Sequence, residues 1–244
     1  MEYTLSRYIA QDSEILKNAA TTARDITRQL EADLIAARSF RDPGLTDAAQ
    51  TARREDMERQ ARENGRARLE QHRASVQRAR EFLTKQAKEH TQLPTDPAAM
   101  MLATQKWHGI ERQLDAGRDL RDVIASTDDV NTILAIKEFA PAYEAAKGYR
   151  PPGAGEMVGA ALAGQKVEQV SGEWVERATW SRLAQITPDH DTAALLRTAV
   201  NVDAHHNAAS PWLDAGEGIA TGRGADMLGT AIAAQLASAE VTAD

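Results

Sequence analysis

Apolar side chains recur at alternating spacings of four and three residues across residues 4–40, the heptad repeat of an amphipathic helix that packs along another helix. The repeat passes through Leu5, Ile9, Asp12, Leu16, Ala19, Ala23, Ile26, Leu30, Asp33, Ala37 and Phe40. The pattern predicts one continuous helix, either a core helix of a bundle or a strand of a coiled coil. Such a helix needs a partner surface roughly 50 Å long. The large apolar members are therefore candidate interface residues: Leu5, Ile9, Leu16, Ile26, Leu30 and Phe40.

Residues 46–90 show a second long helical pattern, with almost no apolar face. Residues 53–81 hold nine arginines and six acidic residues, whereas their large apolar residues are only Met57, Leu69 and Val76. A helix that is polar all round bridges solvent, lies along a partner or belongs to an extended bundle. This pattern favours scaffolding or assembly over catalysis.

Asp42-Pro43-Gly44 separates these two patterns, and Thr46 or Asp47 is placed to cap the second helix. A short turn between two long helices favours an antiparallel hairpin. We expect the half of the second helix near residues 53–68 to project from this hairpin with little core of its own.

Residues 95–150 contain the highest density of large apolar residues, so we place the main core there. Asp96 followed by Pro97 is a strong signal for a helix start. The run from Ser126 to Asp129 resembles another cap, and the helix after it should be kinked or ended by Pro141. Trp107 and Trp174 are more typical of packing anchors than of ligand platforms, and both are also candidate interface residues.

A linker of two prolines and two glycines at residues 149–155 precedes the last third of the chain. Val167, Val170, Trp174 and Val175 fit a helix better than a short hairpin about Gly172. We expect Thr187-Pro188 to cap a helix that runs to Val200, a glycine loop at residues 216–224, and a final helix at about 226–241. The fold class is therefore all-α, with a hairpin arm at 1–94, a core region at 95–150 and an acidic helical region at 151–244.

Composition adds a reason to expect partner chains. Of 244 residues, 46 are alanine, while leucine, isoleucine, valine and phenylalanine together number 43. Burying alanine removes little apolar area from water, so alanine-rich helices form only narrow apolar contacts. We therefore expect other chains to complete the hydrophobic core. The net charge of −7 is uneven, with +2 over residues 1–94 and −7 over residues 151–244. This acidic balance argues against a dedicated nucleic-acid binder.

The chain lacks cysteine, which excludes disulfides and thiolate chemistry. Its first residues do not resemble a secretory signal, and no run approaches 18 apolar residues. We expect a protein that is cytoplasmic when synthesised and does not interact with membranes.

Three patterns resemble chemical sites. The group Asp189, His190, Asp191, Asp203, His205 and His206 contains metal-binding residue types, but adjacent histidines on a helix point about 100° apart and no metal motif is present. Gly216, Gly218, Gly222 and Gly224 lack the strand and spacing of a phosphate loop. We predict no catalytic, cofactor-binding or metal-binding residue.

The third pattern is the Arg53–Arg80 face of the second helix. Its arginines are at 53, 54, 59, 62, 66, 68, 73, 78 and 80. They could contact phosphates, but Glu58–Arg62 and Glu63–Arg66 stand at helical pairing distances, which favours ion pairs on a solvated face. No interleaved aromatics are present for base stacking.

The high alanine content and the excess of arginine over lysine, 22 against 7, are typical of GC-rich coding genomes. Together with the long helices, they resemble the helical virion and head-assembly proteins of bacteriophages that infect GC-rich, actinobacterial hosts. That resemblance implies a non-enzymatic, oligomeric subunit that is virion-associated, contacts other subunits of a larger assembly and holds no cofactor. Two alternatives are a nucleic-acid-associated module that uses the Arg53–Arg80 face and a metal-dependent enzyme that uses the 189–206 cluster.

Overall fold

A computed structural model describes residues 2–146, 173–223 and 229–235, with side chains from Ser6 onward. The fold class is all-α, as predicted. The helices are α1 (Glu2–Lys17), α2 (Ala19–Ser39), α3 (Asp47–His90), α4 (Pro97–Asp115), α5 (Leu120–Ser126), α6 (Val130–Ala146), α7 (Glu173–Ile186), α8 (His190–Val200) and α9 (Val202–Ala220). Residues 229–235 are also helical.

The first amphipathic pattern forms two helices rather than the one that was predicted. Asn18 separates α1 from α2 with φ −93° and ψ 2°, although its carbonyl oxygen still accepts a hydrogen bond from Thr22. The heptad pattern passes through this break because one non-helical residue does not change which face is buried. Leu16 and Ala19, on either side of it, are both fully buried.

Helices α2 and α3 form an antiparallel hairpin. Arg38 pairs with Glu58 at 3.4 Å, and the His72 Nε2–H donates to the carbonyl oxygen of Ala19 at 2.9 Å. Residues early in α2 thus contact residues late in α3, and residues late in α2 contact residues early in α3. The turn is held by the Gly44 amide, which donates to Asp42, while the Ala49 amide donates to the Thr46 hydroxyl at the start of α3. Thr46, one of the two predicted caps, is therefore the residue that caps α3.

The expectation that α3 has almost no apolar face is wrong for its interior side. Ala61, Gly65, Leu69, Val76, Ala79, Leu83 and Ala87 are buried along one stripe. A β-carbon at Gly65 would lie 2.7 Å from Leu30, so the absence of a side chain there lets α2 and α3 approach closely. The 53–68 half therefore has a core contact, made mainly through small residues.

The described chain divides into two compact units, and these are not consecutive in sequence. Unit 1 combines Met1–Lys85 with Asn201–Asp244, and unit 2 is Gln86–Val200. This division differs from the 1–94, 95–150 and 151–244 regions expected from the sequence. The reason is that α9 packs on α2, so a segment late in the chain completes a bundle begun at its start.

Unit 2 contains α4–α8 and the last turn of α3. Its aromatic cluster consists of Trp107 with Phe139 at 6.0 Å and Tyr143 at 5.5 Å between ring centroids. Side chains from α5 to α8 bury the remaining core, among them Val123, Ile133, Ile136, Val175, Leu195 and Leu196. Buried side chains occur at comparable depth in unit 1, so the main core is not confined to residues 95–150.

Helix starts in unit 2 follow the predicted chemistry in part. Asp96 accepts hydrogen bonds from the amides of Ala98 and Ala99, both at 3.0 Å, as its cap pattern predicted. Asp129 similarly accepts from the Thr132 amide at 3.1 Å. The cap of α8 is Asp189 rather than Thr187-Pro188, because the Asp189 carboxylate accepts from the free amide of Thr192 at 3.1 Å. Helix α6 continues through Pro141 to Ala146.

The predicted glycine loop at 216–224 is also corrected. Gly216 and Gly218 lie inside α9, which ends at Ala220, and Gly222 follows with φ +79°. Gly216 is needed inside the helix, since a β-carbon there would lie 2.7 Å from the Thr27 hydroxyl and 2.9 Å from Leu69. Gly224, the whole 149–155 linker, Val167 and Val170 lie outside the described residues.

Candidate interaction surfaces

Four of the six candidate interface residues of the heptad seam lie in the interior of unit 1. Ile9, Leu16, Ile26 and Leu30 are all less than a tenth exposed, and Phe40 is half-buried. The side chain of Leu5 lies outside the described part of the chain. The seam is thus covered by the chain's own α3 and α9, and these four buried positions present no open surface to a second chain.

The seam aspartates show how α3 covers this face. Asp12 is half-buried and interacts electrostatically with Arg78 in α3. Asp33 is exposed. Burial raises the pKa of Asp12, and the nearby Arg78 partly opposes that rise. The polar exceptions in the repeat therefore lie at the margin of the buried stripe.

The two candidate tryptophans differ in environment. Trp107 is buried in the aromatic cluster of unit 2. Trp174 is half-buried, and the guanidinium of Arg121 lies 5.2 Å from its ring centroid in a cation–π contact. Trp107 is a packing anchor, and Trp174 keeps part of its ring accessible.

Three arginines of α3 bind α9. Arg80 pairs with Asp203 at 2.7 Å, Arg73 lies 3.2 Å from Glu217 and 3.6 Å from Asp214, and Arg62 donates to the carbonyl oxygen of Ile219 at 2.6 Å. Spacings of 11 and 7 residues are about three and two helical turns, so the three arginines share one side of α3. We call this set, Arg62, Arg73 and Arg80, the arginine ladder.

Several arginines of α3 also pair with acidic residues within α3 itself. Arg62 also pairs with Glu58 at 3.8 Å, as predicted, and Arg53 with Asp56 at 3.7 Å. Arg66 pairs with Glu70 at 3.0 Å, not with the predicted Glu63. The acidic partners of this face are therefore found within the chain, in α3 and α9.

The 189–206 polar cluster is divided between the two units. Asp189, His190 and Asp191 begin α8 in unit 2, whereas Asp203, His205 and His206 belong to α9 in unit 1. Hydrogen bonds from the hydroxyl and amide of Thr192 lower the pKa of Asp189, as expected for a helix cap. Within the described ranges, no three histidine, aspartate or glutamate side chains are grouped so that they could hold a metal ion.

His205 is half-buried in unit 1. Burial lowers the pKa of His205, and the nearby Lys17 ammonium lowers it further. The folded chain therefore favours the neutral imidazole more than the unfolded chain does.

A buried polar cluster that the sequence did not indicate closes the end of α3. The Trp180 indole N–H donates to the Thr91 hydroxyl at 3.1 Å, and that hydroxyl donates to the carbonyl oxygen of Ala87. The Lys137 ammonium donates to the Thr91 carbonyl oxygen at 3.1 Å, and burial lowers the pKa of Lys137. Thr91 and Lys137 carry no sequence signal because their partners are distant in the chain.

Three consecutive apolar residues are exposed near the start of α4. Met100, Met101 and Leu102 have relative exposures of 38%, 73% and 46%. Residues 91–105 contain one charged residue, Asp96, although 27% of the whole chain is charged. We call Met100, Met101 and Leu102 the α4 patch. Three consecutive helical residues span about 200°, so they cannot all point inward.

Comparison with protein-family models, with curated proteins and with solved structures finds no match. Among the helices of the described residues, none has the length and apolar character to cross a membrane. Any inference about function therefore depends on the exposed surfaces of the chain. The chemistry of the α4 patch suits contacts between proteins, because apolar patches poor in charge and rich in methionine are typical of interface centres.

Proposed function

We propose that the chain is a non-enzymatic structural protein that assembles with copies of itself through the α4 patch. The observation that carries this proposal is the exposure of Met100, Met101 and Leu102 within a stretch that has a single charge. Removing such side chains from water favours association by about 25 cal/mol per Å² of apolar surface.

A second copy is the occupant that the charge distribution favours. The chain carries a net charge of −7, so two copies repel each other overall. A nearly uncharged patch lets two identical acidic chains meet without placing like charges against one another.

The role that fits such a subunit is in a larger helical assembly. The 44-residue α3 is about 66 Å long, a length that suits a scaffold helix. This is the style of the bacteriophage virion and head-assembly proteins that the composition resembles, and a virion-associated role is part of the proposal.

The test replaces Met101 and Leu102 with aspartate and measures the molar mass by light scattering. The Met101→Asp/Leu102→Asp protein should show a lower mean mass than the unchanged protein at equal concentration, because the new charges oppose contact. The matched control is Ile35→Asp on α2, a lone exposed aliphatic residue at 60% exposure. An unchanged mass in the double variant, with its helix content intact by circular dichroism, would reject the α4 patch as the contact.

A further inference from the structure

We infer that the groove between α2 and α3 accepts α9 from a second copy of this chain, so that assembled copies exchange this helix. This inference rests on the proposed self-association and names a second surface for it. Three exposed side chains do not supply the roughly 800 Å² per partner that a stable dimer buries, so a further surface is needed.

The groove is built by a continuous segment, and α9 enters it from far along the chain. The hairpin of α2 and α3 is closed by its own turn at residues 40–46, without any part of α9. Helix α9 follows unit 2 and belongs to unit 1. Unit 1 therefore needs an α9 helix, but its contacts do not require that the helix come from the same chain.

The contacts that recognise α9 are specific and lie along its length. Arg80 meets Asp203 near the start of α9, Thr27 donates to the carbonyl oxygen of Trp212 at 3.0 Å, and Arg73 meets Glu217. Gly216 allows the close approach to Thr27 and Leu69, and Arg62 caps the final carbonyl groups. An α9 helix from another copy carries the same groups, so exchange preserves every one of these contacts.

The connection that must change is one residue long. Asn201 alone separates α8 from α9, with φ −98° and ψ 6°. These angles differ from helical values of about −63° and −42° by a few tens of degrees. Rotation at this residue toward helical values would join α8 and α9 into one helix of residues 190–220, which redirects α9 without breaking a helix elsewhere.

The test uses the absence of cysteine from the chain. Arg73 and Glu217 are both about half exposed and in contact, so Arg73→Cys and Glu217→Cys place two thiols where a short bismaleimide can bridge them. The two single variants carry different affinity tags and are co-expressed as full chains. The control pairs Glu217→Cys with Arg59→Cys, since Arg59 is exposed and lies about 21 Å further along α3.

Exchange predicts a cross-linked product of two chains for the 73–217 mixture, at least tenfold more abundant than for the 59–217 mixture. The double variant Arg73→Cys/Glu217→Cys, with both thiols in one chain, must also cross-link, because α9 occupies the groove in either arrangement. If light scattering shows several chains per particle but the two mixtures cross-link equally or not at all, exchange is overturned and the proposed self-association stands. If the protein has the mass of one chain, both are overturned.

Discussion

The Thr27 hydroxyl lies 3.0 Å from the carbonyl oxygen of Trp212, across a separation of 185 residues. The Thr27 hydroxyl oxygen also lies 2.9 Å from the carbonyl oxygen of Ala23, one turn earlier in α2. The hydroxyl proton is therefore shared between a local and a distant acceptor. Thr27 is fully buried at the interface of α2 and α9. Its side chain fixes the depth at which α9 lies against the hairpin.

Thr27→Val should therefore lower the free energy of unfolding by about 1 kcal/mol, because the shape is kept while an interhelical hydrogen bond is lost. The matched control is Thr179→Val in α7. Thr179 is equally buried, but its hydroxyl bonds to the carbonyl oxygens of Val175 and Glu176 within its own helix. Chemical denaturation should show a larger loss for Thr27→Val, and equal losses would deny the hydroxyl an interhelical role.

Two helical glycines should respond to alanine in opposite directions. At Gly216 the added methyl would lie 2.7 Å from Thr27 and 2.9 Å from Leu69, so overpacking costs about 1 to 3 kcal/mol and outweighs the helix propensity gained. At Gly109 in α4 an added β-carbon would meet no atom within 4 Å apart from its own helix backbone, so alanine should stabilise by up to about 1 kcal/mol. Thermal melts of Gly216→Ala and Gly109→Ala measure this contrast. A gain in stability at both positions would mean that α9 is not packed closely on α2.

Arg62→Ala should destabilise unit 1 by about 1 to 2 kcal/mol, because the guanidinium is half-buried and donates to the carbonyl oxygens of Ile219 and Ala220 at the end of α9. Arg66→Ala is the control, since Arg66 is exposed and pairs within α3, where such pairs contribute less than about 0.5 kcal/mol. Denaturant unfolding distinguishes them. Equal and small effects would show that α9 is not capped by α3.

The stability of unit 1 should depend on pH through His205. Its folded-state pKa lies below the ordinary value of 6.5, so the unfolded chain binds a proton more readily than the folded chain. The contribution of neutral His205 to the free energy of unfolding is complete above pH 6.5. It is lost as the pH falls from there toward the lowered pKa of the folded state. His205→Gln should flatten this fall between pH 8 and 5.5. Lys17→Gln should flatten it less, because burial is the larger cause and the Lys17 charge the smaller. Parallel pH profiles for all three proteins would contradict the assignment.

The elements that depend on local chemistry were predictable from the sequence. Asp96 with Pro97 marks the start of α4, and the heptad repeat identifies Leu16, Ile26 and Leu30 as one buried face. These signals depend on neighbours within a turn or two of helix. They are therefore present in the sequence itself.

The partner of that face was not predictable, because it lies far along the chain. The sequence indicates that the α2 seam needs a surface, and its alanine-rich composition suggested other chains, whereas α9 provides it within the chain. Gly216 was interpreted as part of a loop because a glycine that permits helix contact and a glycine that opens a turn look alike in sequence. The buried stripe of α3 was missed for a similar reason, since Ala61 and Gly65 give little hydrophobic signal although they allow close packing.

The α4 patch could have been found from the scarcity of charged residues over residues 91–105, where Asp96 is the single charge. The arginine ladder could be placed on one side of α3 by its 11- and 7-residue spacing. Its partners Asp203 and Glu217 required the structure, because ion pairs between distant segments leave no local pattern.

Self-assembly is tested most directly by the molar mass of the unmodified protein in solution, measured by sedimentation velocity over a wide range of concentrations. One chain has a mass of 26.6 kDa. We expect a mass of two or more chains that rises with concentration, as an interface with a small apolar centre implies. A mass of one chain at every concentration up to the solubility limit would contradict it.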